Sequence, residues 1–324
     1  MLRLAEWPYA LAMRLRNQLY DRRLLHAFRP PLAVVSVGNL SLGGTGKTPL
    51  VQWIARRLSA AGVPLAVISR GYGARPGRPN DEALELARRL PGVVHLQNPD
   101  RVAAARQVLA AGACRALLLD DAFQHRRIAR DLDIVLLDAL EPFGFGHVFP
   151  RGTLREPLAG LRRADVVVLS RADMLAPAER AAIRDRVRQY APQAAWVEAR
   201  HAPRVLVSAA EQEQPLAAIA GRPVAAFCGI GNPAGFRHTL DSCACSVVAL
   251  QEFPDHYAYE PPAIERLAHW AEGLDVAAVV CTEKDLVKIG RETLGGRAVW
   301  AIRVELEFLA GQAQLEERLF KVRA

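Results

Sequence analysis

The sequence predicts an α/β protein: a P-loop NTPase-like α/β/α sandwich with a mostly parallel sheet, followed by a second, smaller α/β domain. Three observations carry that expectation. Short apolar, β-branched runs alternate with helical patterns, which is how a parallel sheet covered on both faces reads in sequence. A glycine-rich loop holding a lysine, Ser41-Leu42-Gly43-Gly44-Thr45-Gly46-Lys47-Thr48, lies between the first such run and the first strongly patterned helix. The 324 residues exceed what one hydrophobic core usually serves, and a second strand–loop–helix unit starts near Val224.

Residues 1–30 form a basic segment. Ala33 to Val37 is the first buried strand, followed by the glycine-rich loop and a helix from about Pro49 to Ala60. Proline fits the first helical turn, where its missing N–H costs nothing. Leu65 to Ser69 is the next strand, followed by Arg70-Gly71-Tyr72-Gly73 and a Pro/Gly/Arg-rich stretch to about Asn80. Helical patterns cover about 81–90 and 100–111, and strands are expected at Ala116–Leu119, Ile134–Leu137 and Val166–Leu169. The region 195–220 lacks a regular period. Beyond it come the strand Val224–Cys228, a Gly229-Ile230-Gly231-Asn232-Pro233 loop, a helix from Ala234, a helix near 261–272 and a strand at Val276–Cys281. The expected division is 1–30 membrane-associating segment, 31–205 P-loop domain, 206–221 linker and 222–324 C-terminal α/β domain.

Composition narrows the classes. No run of eighteen apolar residues exists, so a membrane-spanning helix is not expected. The first 31 residues lack the apolar stretch and cleavage site of a signal peptide. Five cysteines at irregular spacing, Cys114, Cys228, Cys243, Cys245 and Cys281, give no zinc or redox pair and suit a reducing cytoplasm. The net charge is +8, and six arginines (Arg3, Arg14, Arg16, Arg22, Arg23 and Arg29) stand against Glu6 and Asp21 in the N-terminal segment. With Trp7, Leu11, Leu15, Leu19 and Phe28, that segment fits either an anionic bilayer surface or a helix packed on the domain with a solvated basic edge. No nucleic-acid-binding signature accompanies the charge, and no obligate protein partner is expected. Only four lysines are present, and Lys47 is the sole one before Lys284.

The loop carries the chemistry. The general pattern is G-x-x-x-x-G-K-[ST], and Ser41 replaces the first glycine. Glycines let backbone N–H groups turn toward phosphate oxygens, and the following helix N-terminus adds partial positive charge. Lys47 can reach the β- and γ-phosphates of ATP, and the Thr48 hydroxyl can bind Mg²⁺. A carboxylate at a nearby strand end is then needed for the metal. Asp120-Asp121 and Asp138 are the candidates, and the adjacent pair is favoured over a lone Asp that could simply cap a turn. A membrane-associated ATPase or GTPase switch is the alternative. Its partitioning-type version places an extra lysine where Leu42 stands, and the GTPase N-K-x-D is matched neither by Ser170-Arg171-Ala172-Asp173 nor by Thr282-Glu283-Lys284-Asp285.

Six blocks in order resemble one family: Ser36-Val37-Gly38-Asn39-Leu40, Ser69-Arg70-Gly71-Tyr72-Gly73, Asp120-Asp121-Ala122-Phe123-Gln124-His125, Leu154-Arg155-Glu156-Pro157, Phe253-Pro254-Asp255-His256 and Thr282-Glu283-Lys284-Asp285. Together, over residues 30 to 290, the chain resembles the tetraacyldisaccharide 4′-kinases of lipid A biosynthesis. The resemblance implies ATP- and Mg²⁺-dependent phosphorylation of the 4′-hydroxyl of a tetraacyldisaccharide 1-phosphate by a peripheral enzyme at the cytoplasmic face of the bacterial inner membrane. It implies a base at Asp81, in Asn80-Asp81-Glu82-Ala83, which matches the family block at two of four positions, and a supporting His256. It further implies Glu156 as a third metal carboxylate, beside Thr48, Asp120 and Asp121, and acceptor contacts at Arg70, Tyr72, Gln124 and His125. Read without the resemblance, Asp81 and Glu82 are also the acidic start of a helix, His256 a structural histidine and Glu156 a partner for Arg155.

Overall fold

The computed structural model describes residues 2–71, 81–255 and 257–322, with the side chains of Asp81 and Glu82 outside the description. The chain divides into two units, Met1–Tyr72 with Leu86–Arg200 and Glu307–Ala324, and Gly73–Glu85 with His201–Leu306. Besides the insertion of 73–85, the chain changes units inside two long strands, at Arg200 and again at Leu306, whereas the sequence expectation placed a linker at 206–221.

The first unit begins with α1 (Leu2–Asp21) and continues through β1 (Ala33–Asn39), α2 (Lys47–Ala60), β2 (Leu65–Ser69), the end of α3 (Asp81–Arg89), β3 (Val94–Gln97), α4 (Arg101–Ala111), β4 (Ala116–Asp120), β5 (Leu132–Asp138), β6 (Val166–Ser170), α5 (Pro177–Arg188) and the start of β7 (Ala195–Val207). Its sheet runs β7-β6-β5-β1-β4-β2-β3, and every pairing along it is parallel. All residues of β1, β2, β4, β5 and β6 are buried, as expected for strands covered on both faces. One cluster joins Val34, Ile68, Leu117 and Leu119 to Val102, Ala105 and Val108 of α4. A second joins Val135, Leu137, Val167 and Leu169 to Leu158 and Leu161. α4 starts where the Asp100 side chain accepts from the N–H groups of Val102 and Ala103, and it ends at Gly112 with φ +66°, a left-handed cap that glycine adopts without strain.

The second unit carries β8 (Glu213–Pro215), β9 (Pro223–Cys228), α6 (Pro233–Ser242), β10 (Ser246–Glu252), α7 (Pro261–Glu272), β11 (Ala278–Thr282), α8 (Glu283–Ile289), β12 (Thr293–Leu294) and most of β13 (Arg297–Ala310). Here β10, β9, β11 and β13 lie side by side in parallel, and β12 turns back on β13. The chain finishes with α9 (Gln312–Lys321) in the first unit.

In α1 the polarity is reversed. Its only buried residue is Asn17, whereas Leu2, Leu4, Trp7, Leu11 and Leu15 are all more than half exposed. Tyr9 donates its hydroxyl to the Arg155 carbonyl (2.8 Å), Arg16 donates to the Gln124 carbonyl (2.7 Å), and Asn17 donates to the Glu156 carboxylate (2.7 Å). Polar contacts therefore seat the helix while much of its apolar surface faces outward.

Close approach fixes one glycine. A Cβ on Gly38 of β1 would lie 2.6 Å from the Phe123 nitrogen and 2.7 Å from its Cβ, and Phe123 is fully buried. Gly38→Ala should lower unfolding stability by about 1–3 kcal/mol, the usual cost of overpacking, measured by urea denaturation. An unchanged midpoint would show that the two strand ends can separate freely.

Candidate active site

Because the strands of the first sheet are parallel, their C-terminal ends share one edge, where open α/β sheets place ligands. The glycine-rich loop follows β1 there, Arg70 follows β2, Asp120 and Asp121 end β4, Asp138 ends β5, and Ser170 to Asp173 follow β6.

The start of the loop is fixed by backbone bonds. Leu42 N donates to the Thr153 carbonyl and Arg155 N to the Leu40 carbonyl, both at 2.7 Å. The Asn39 amide donates to the Ser41 carbonyl at 2.8 Å. Gly43 (φ +103°) and Gly46 (φ +82°) occupy the left-handed region. Gly46 caps α2 with no side-chain acceptor, so the first N–H groups of that helix remain available to an anion. Thr45 and Thr48 are buried beside them.

Lys47 Nζ lies 3.4 Å from Asp121 Oδ1. Arg155 Nη1 contacts both oxygens of the same carboxylate, at 2.8 and 2.9 Å. Arg101 Nη2 donates to the carbonyls of Asp120 (3.0 Å) and Asp121 (2.8 Å), which holds Asp121 in a left-handed conformation at φ +48°. Burial alone would raise the Asp121 pKa. The cations of Lys47, Arg155 and Arg101 outweigh it and hold the carboxyl at about 2. Arg171 bonds Asp138 at 2.7 Å and the Gly44 carbonyl at 3.0 Å, so β5 and β6 brace the loop from its other side.

Gln124 donates to the Asn39 carbonyl and to Glu156, each at 3.0 Å. Glu156 is fully buried and also accepts from Asn17 (2.7 Å) and Arg163 (2.7 Å). His125 is pushed down to about 4 by burial and by the arginines Arg101, Arg130, Arg127 and Arg16, so it is neutral at physiological pH. Arg70 is exposed at the end of β2. Tyr72 and His256 lie outside the described residues, as does the side chain of Asp81, which begins α3. Near His256 in sequence, Phe253, Tyr257 and Tyr259 form an aromatic cluster. Asp285 accepts there from Tyr259 (3.0 Å), Thr282 (2.6 Å) and the Gly229 N–H (3.1 Å).

Three arginines take roles that the sequence did not assign them. Arg101 lies in α4 and carries no motif. Arg155 was expected only as an ion-pair partner for Glu156, but it binds Asp121, and Glu156 is paired with Arg163. Arg171 was weighed only against a base-reading pattern. Among the described residues no group of three or more His, Cys, Asp or Glu side chains is arranged as a metal site. Beside the loop, Thr48 and the carboxylates of Asp120 and Asp121 supply oxygen donors, and Mg²⁺ usually takes one or two carboxylates together with substrate phosphates.

A phosphate loop with its lysine held against a strand-end carboxylate, on a parallel sheet, defines a P-loop phosphotransferase. The comparisons with known proteins go further. The family model for tetraacyldisaccharide-1-P 4′-kinase matches residues 1–323. A tetraacyldisaccharide 4′-kinase of Anaeromyxobacter sp. (strain K) is 43% identical, over 98% of this chain and 89% of the relative. Its counterpart in Chlorobaculum parvum is 36% identical, over 99% and 94%. A crystal structure of LpxK from Aquifex aeolicus in complex with ATP superimposes with a TM-score of 0.75 at 27% identity, covering 98% of this chain and 96% of that one. The chain belongs to the tetraacyldisaccharide-1-P 4′-kinase family, which the sequence blocks had indicated; it is an ATP-dependent kinase.

Two outcomes test the loop. Lys47→Ala should lower kinase turnover by orders of magnitude, and Lys47→Arg should be poorly tolerated because a planar guanidinium does not replace a compact ammonium; near-normal turnover of the Arg variant would remove Lys47 from the phosphates. Asp121 titrates lower in the folded chain than its ordinary 3.8. Its stabilising contribution is therefore full above pH 4 and lost as pH falls toward 2. With the side chain 34% exposed, solvent screening keeps that contribution below about 2 kcal/mol. Asp121→Asn should flatten this part of the acid-denaturation curve, and an unaltered curve would place the cations elsewhere.

Proposed function

We propose that this chain transfers the γ-phosphoryl group of ATP to the 4′-hydroxyl of tetraacyldisaccharide 1-phosphate while seated on an anionic membrane surface, at the cytoplasmic face of the inner membrane. The observation that supports it most is the Lys47–Asp121–Arg155 arrangement at the glycine-rich loop. Phosphoryl transfer spreads negative charge over the transferred oxygens, so positioning and fixed positive charge do most of the work. The loop N–H groups, the α2 N-terminus and Lys47 supply that charge. When nucleotide arrives, Lys47 exchanges Asp121 for phosphate oxygens, and Arg155 keeps the carboxylate in place. Thr48, Asp120 and Asp121 are the residues proposed to hold Mg²⁺, which would neutralise the negative charge that develops on the transferred group. Glu156 already serves three donors, so its part is to hold the surrounding segments.

Asp81 is proposed to orient the 4′-hydroxyl and accept its proton as the new O–P bond forms and the bond to the β,γ-bridging oxygen breaks, releasing ADP. His256 is proposed to support Asp81. Arg70, Tyr72 and His125 are proposed to contact the acceptor, whose 1-phosphate suits arginine. The membrane reading rests on the outward Leu2, Leu4, Trp7, Leu11 and Leu15 of α1 and the six arginines near it. Among the described residues no helix is long and apolar enough to cross a membrane, which suits a peripheral attachment.

Purified protein incubated with labelled ATP, Mg²⁺ and the disaccharide 1-phosphate in detergent should label the lipid, with little hydrolysis when acceptor is omitted. Rapid acceptor-independent hydrolysis with unlabelled lipid would instead support the switch reading. Asp81→Asn should lower kcat and leave ATP affinity nearly intact, because the lost interaction belongs to the transition state. Leu11→Asp should raise the apparent KM for lipid in vesicles rather than lower kcat in detergent, and equal vesicle binding would end the membrane reading of α1.

A further inference from the structure

The segments that receive α1 are the same segments that hold the phosphate site. Arg155 accepts from Tyr9 through its carbonyl, donates its own N–H to the Leu40 carbonyl at the start of the glycine-rich loop, and grips Asp121 with its guanidinium. Gln124 accepts from Arg16 through its carbonyl and donates to Asn39, the last residue of β1. Both segments meet at Glu156, where Gln124 and Asn17 donate to different oxygens of one buried carboxylate. Arg126 closes the circuit by donating to the Asn17 carbonyl at 2.9 Å. From Asn17 to Asp121 the path is Asn17, Glu156, the adjacent Arg155 and then the carboxylate that holds Lys47, all within one packed unit.

A helix seated by apolar packing could slide or tilt without disturbing its hosts. In this one Tyr9 and Ala10 touch the core, but its only buried residue, Asn17, is fixed by a directional bond to a buried acceptor. Hydrogen bonds to buried charge tolerate little displacement. A shift of α1 must therefore move Glu156 and its neighbours or leave a carboxylate oxygen without one of its donors.

We propose that Asn17 is a positioning residue that couples the seating of α1 to ATP binding, so that engagement of α1 by a lipid surface and occupation of the glycine-rich loop favour each other. The lipid half rests on the membrane reading above; the link from Asn17 to the nucleotide does not. Linkage makes the effect reciprocal: the factor by which vesicles tighten ATP binding must equal the factor by which ATP tightens vesicle binding.

The test uses the full chain, a fluorescent ATP analogue and acceptor-free vesicles of phosphatidylglycerol and phosphatidylcholine. In the wild type, saturating vesicles should lower the Kd for the nucleotide about fivefold or more, and saturating nucleotide should improve vesicle partitioning by the same factor. Asn17→Ala keeps the outward apolar face, so it should still bind vesicles, but both factors should collapse toward one. Asn17→Asp, which turns a donor toward Glu156 into a second carboxylate, should be at least as severe. Without vesicles, Asn17→Ala should already weaken nucleotide binding severalfold. Thermal unfolding is followed in parallel: a lower Tm with nucleotide affinity and both factors unchanged would mean a structural role only and overturn the proposal. If the wild type fails to bind vesicles, the membrane reading falls, and the vesicle-free comparison alone decides the coupling, with equal nucleotide affinity in the two proteins overturning it.

Discussion

The buried carboxylate of Glu156 is the point on which much of the first unit depends. It has no solvent contact, and its charge is met by Arg163, Gln124 and Asn17, each on a different segment. An unpaired charge in that position would be costly, so all three segments are obliged to converge there. The requirement extends to Gly160, where a Cβ would lie 2.5 Å from Glu156 Oε2. Removing one donor leaves an oxygen poorly satisfied at a cost of about 1–3 kcal/mol. Maintaining all three fixes the chain beside the glycine-rich loop.

Around that anchor the protein is organised by arginine. Arg101, Arg155 and Arg171 are each bound to a strand-end aspartate or its carbonyl, and two of them also touch the backbone at the start or apex of the phosphate loop through Arg155 N and Arg171 Nη2. The planar guanidinium suits this work, since it can serve a carboxylate and a carbonyl together. Lysine is kept for Lys47, where the proposed transfer asks a compact ammonium to change partners from carboxylate to phosphate. The scarcity of lysine elsewhere is consistent with that separation of tasks. The same surplus of positive charge, added to burial, keeps His125 neutral, leaving one imidazole nitrogen able to accept a hydrogen bond.

Helix α1 shows how polarity can be inverted without loss of order. Only a small part of its apolar surface, at Tyr9 and Ala10, packs on the core, so its place is set largely by the polar contacts of Tyr9, Arg16 and Asn17, with Glu6 adding contacts to His147 (3.1 Å) and Arg151 (3.2 Å). The outward leucines and Trp7 are then available to another apolar phase. A lipid acceptor and a soluble nucleotide would make that division useful: under the proposed membrane attachment one face would meet the surface, while the other is bonded to the segments around the phosphate loop.

The core of the first sheet and the phosphate loop were legible in the order of residues alone. Short, mostly apolar and β-branched runs at 33–37, 65–69, 116–119, 134–137 and 166–169, alternating with helical patterns, read as doubly covered strands, and the glycines around Lys47 suit a backbone that turns inward. Strands β3, β7, β10 and β13 were less legible. They are only partly buried, and in β7 the inward positions Ala195, Val197 and Ala199 alternate with Trp196, Glu198 and Arg200, too weak a contrast to stand out from a loop. Nor could the sequence reveal that the C-terminal helix returns to the first unit, because β13 carries the chain back through tertiary pairing rather than local pattern. The roles of Arg101, Arg155 and Arg171, and the commitment of Glu156 to Asn17, were decided only in three dimensions. A charged side chain's partner is set by which parallel strands end side by side and how much water is excluded there, and neither is written in the spacing of residues along the chain.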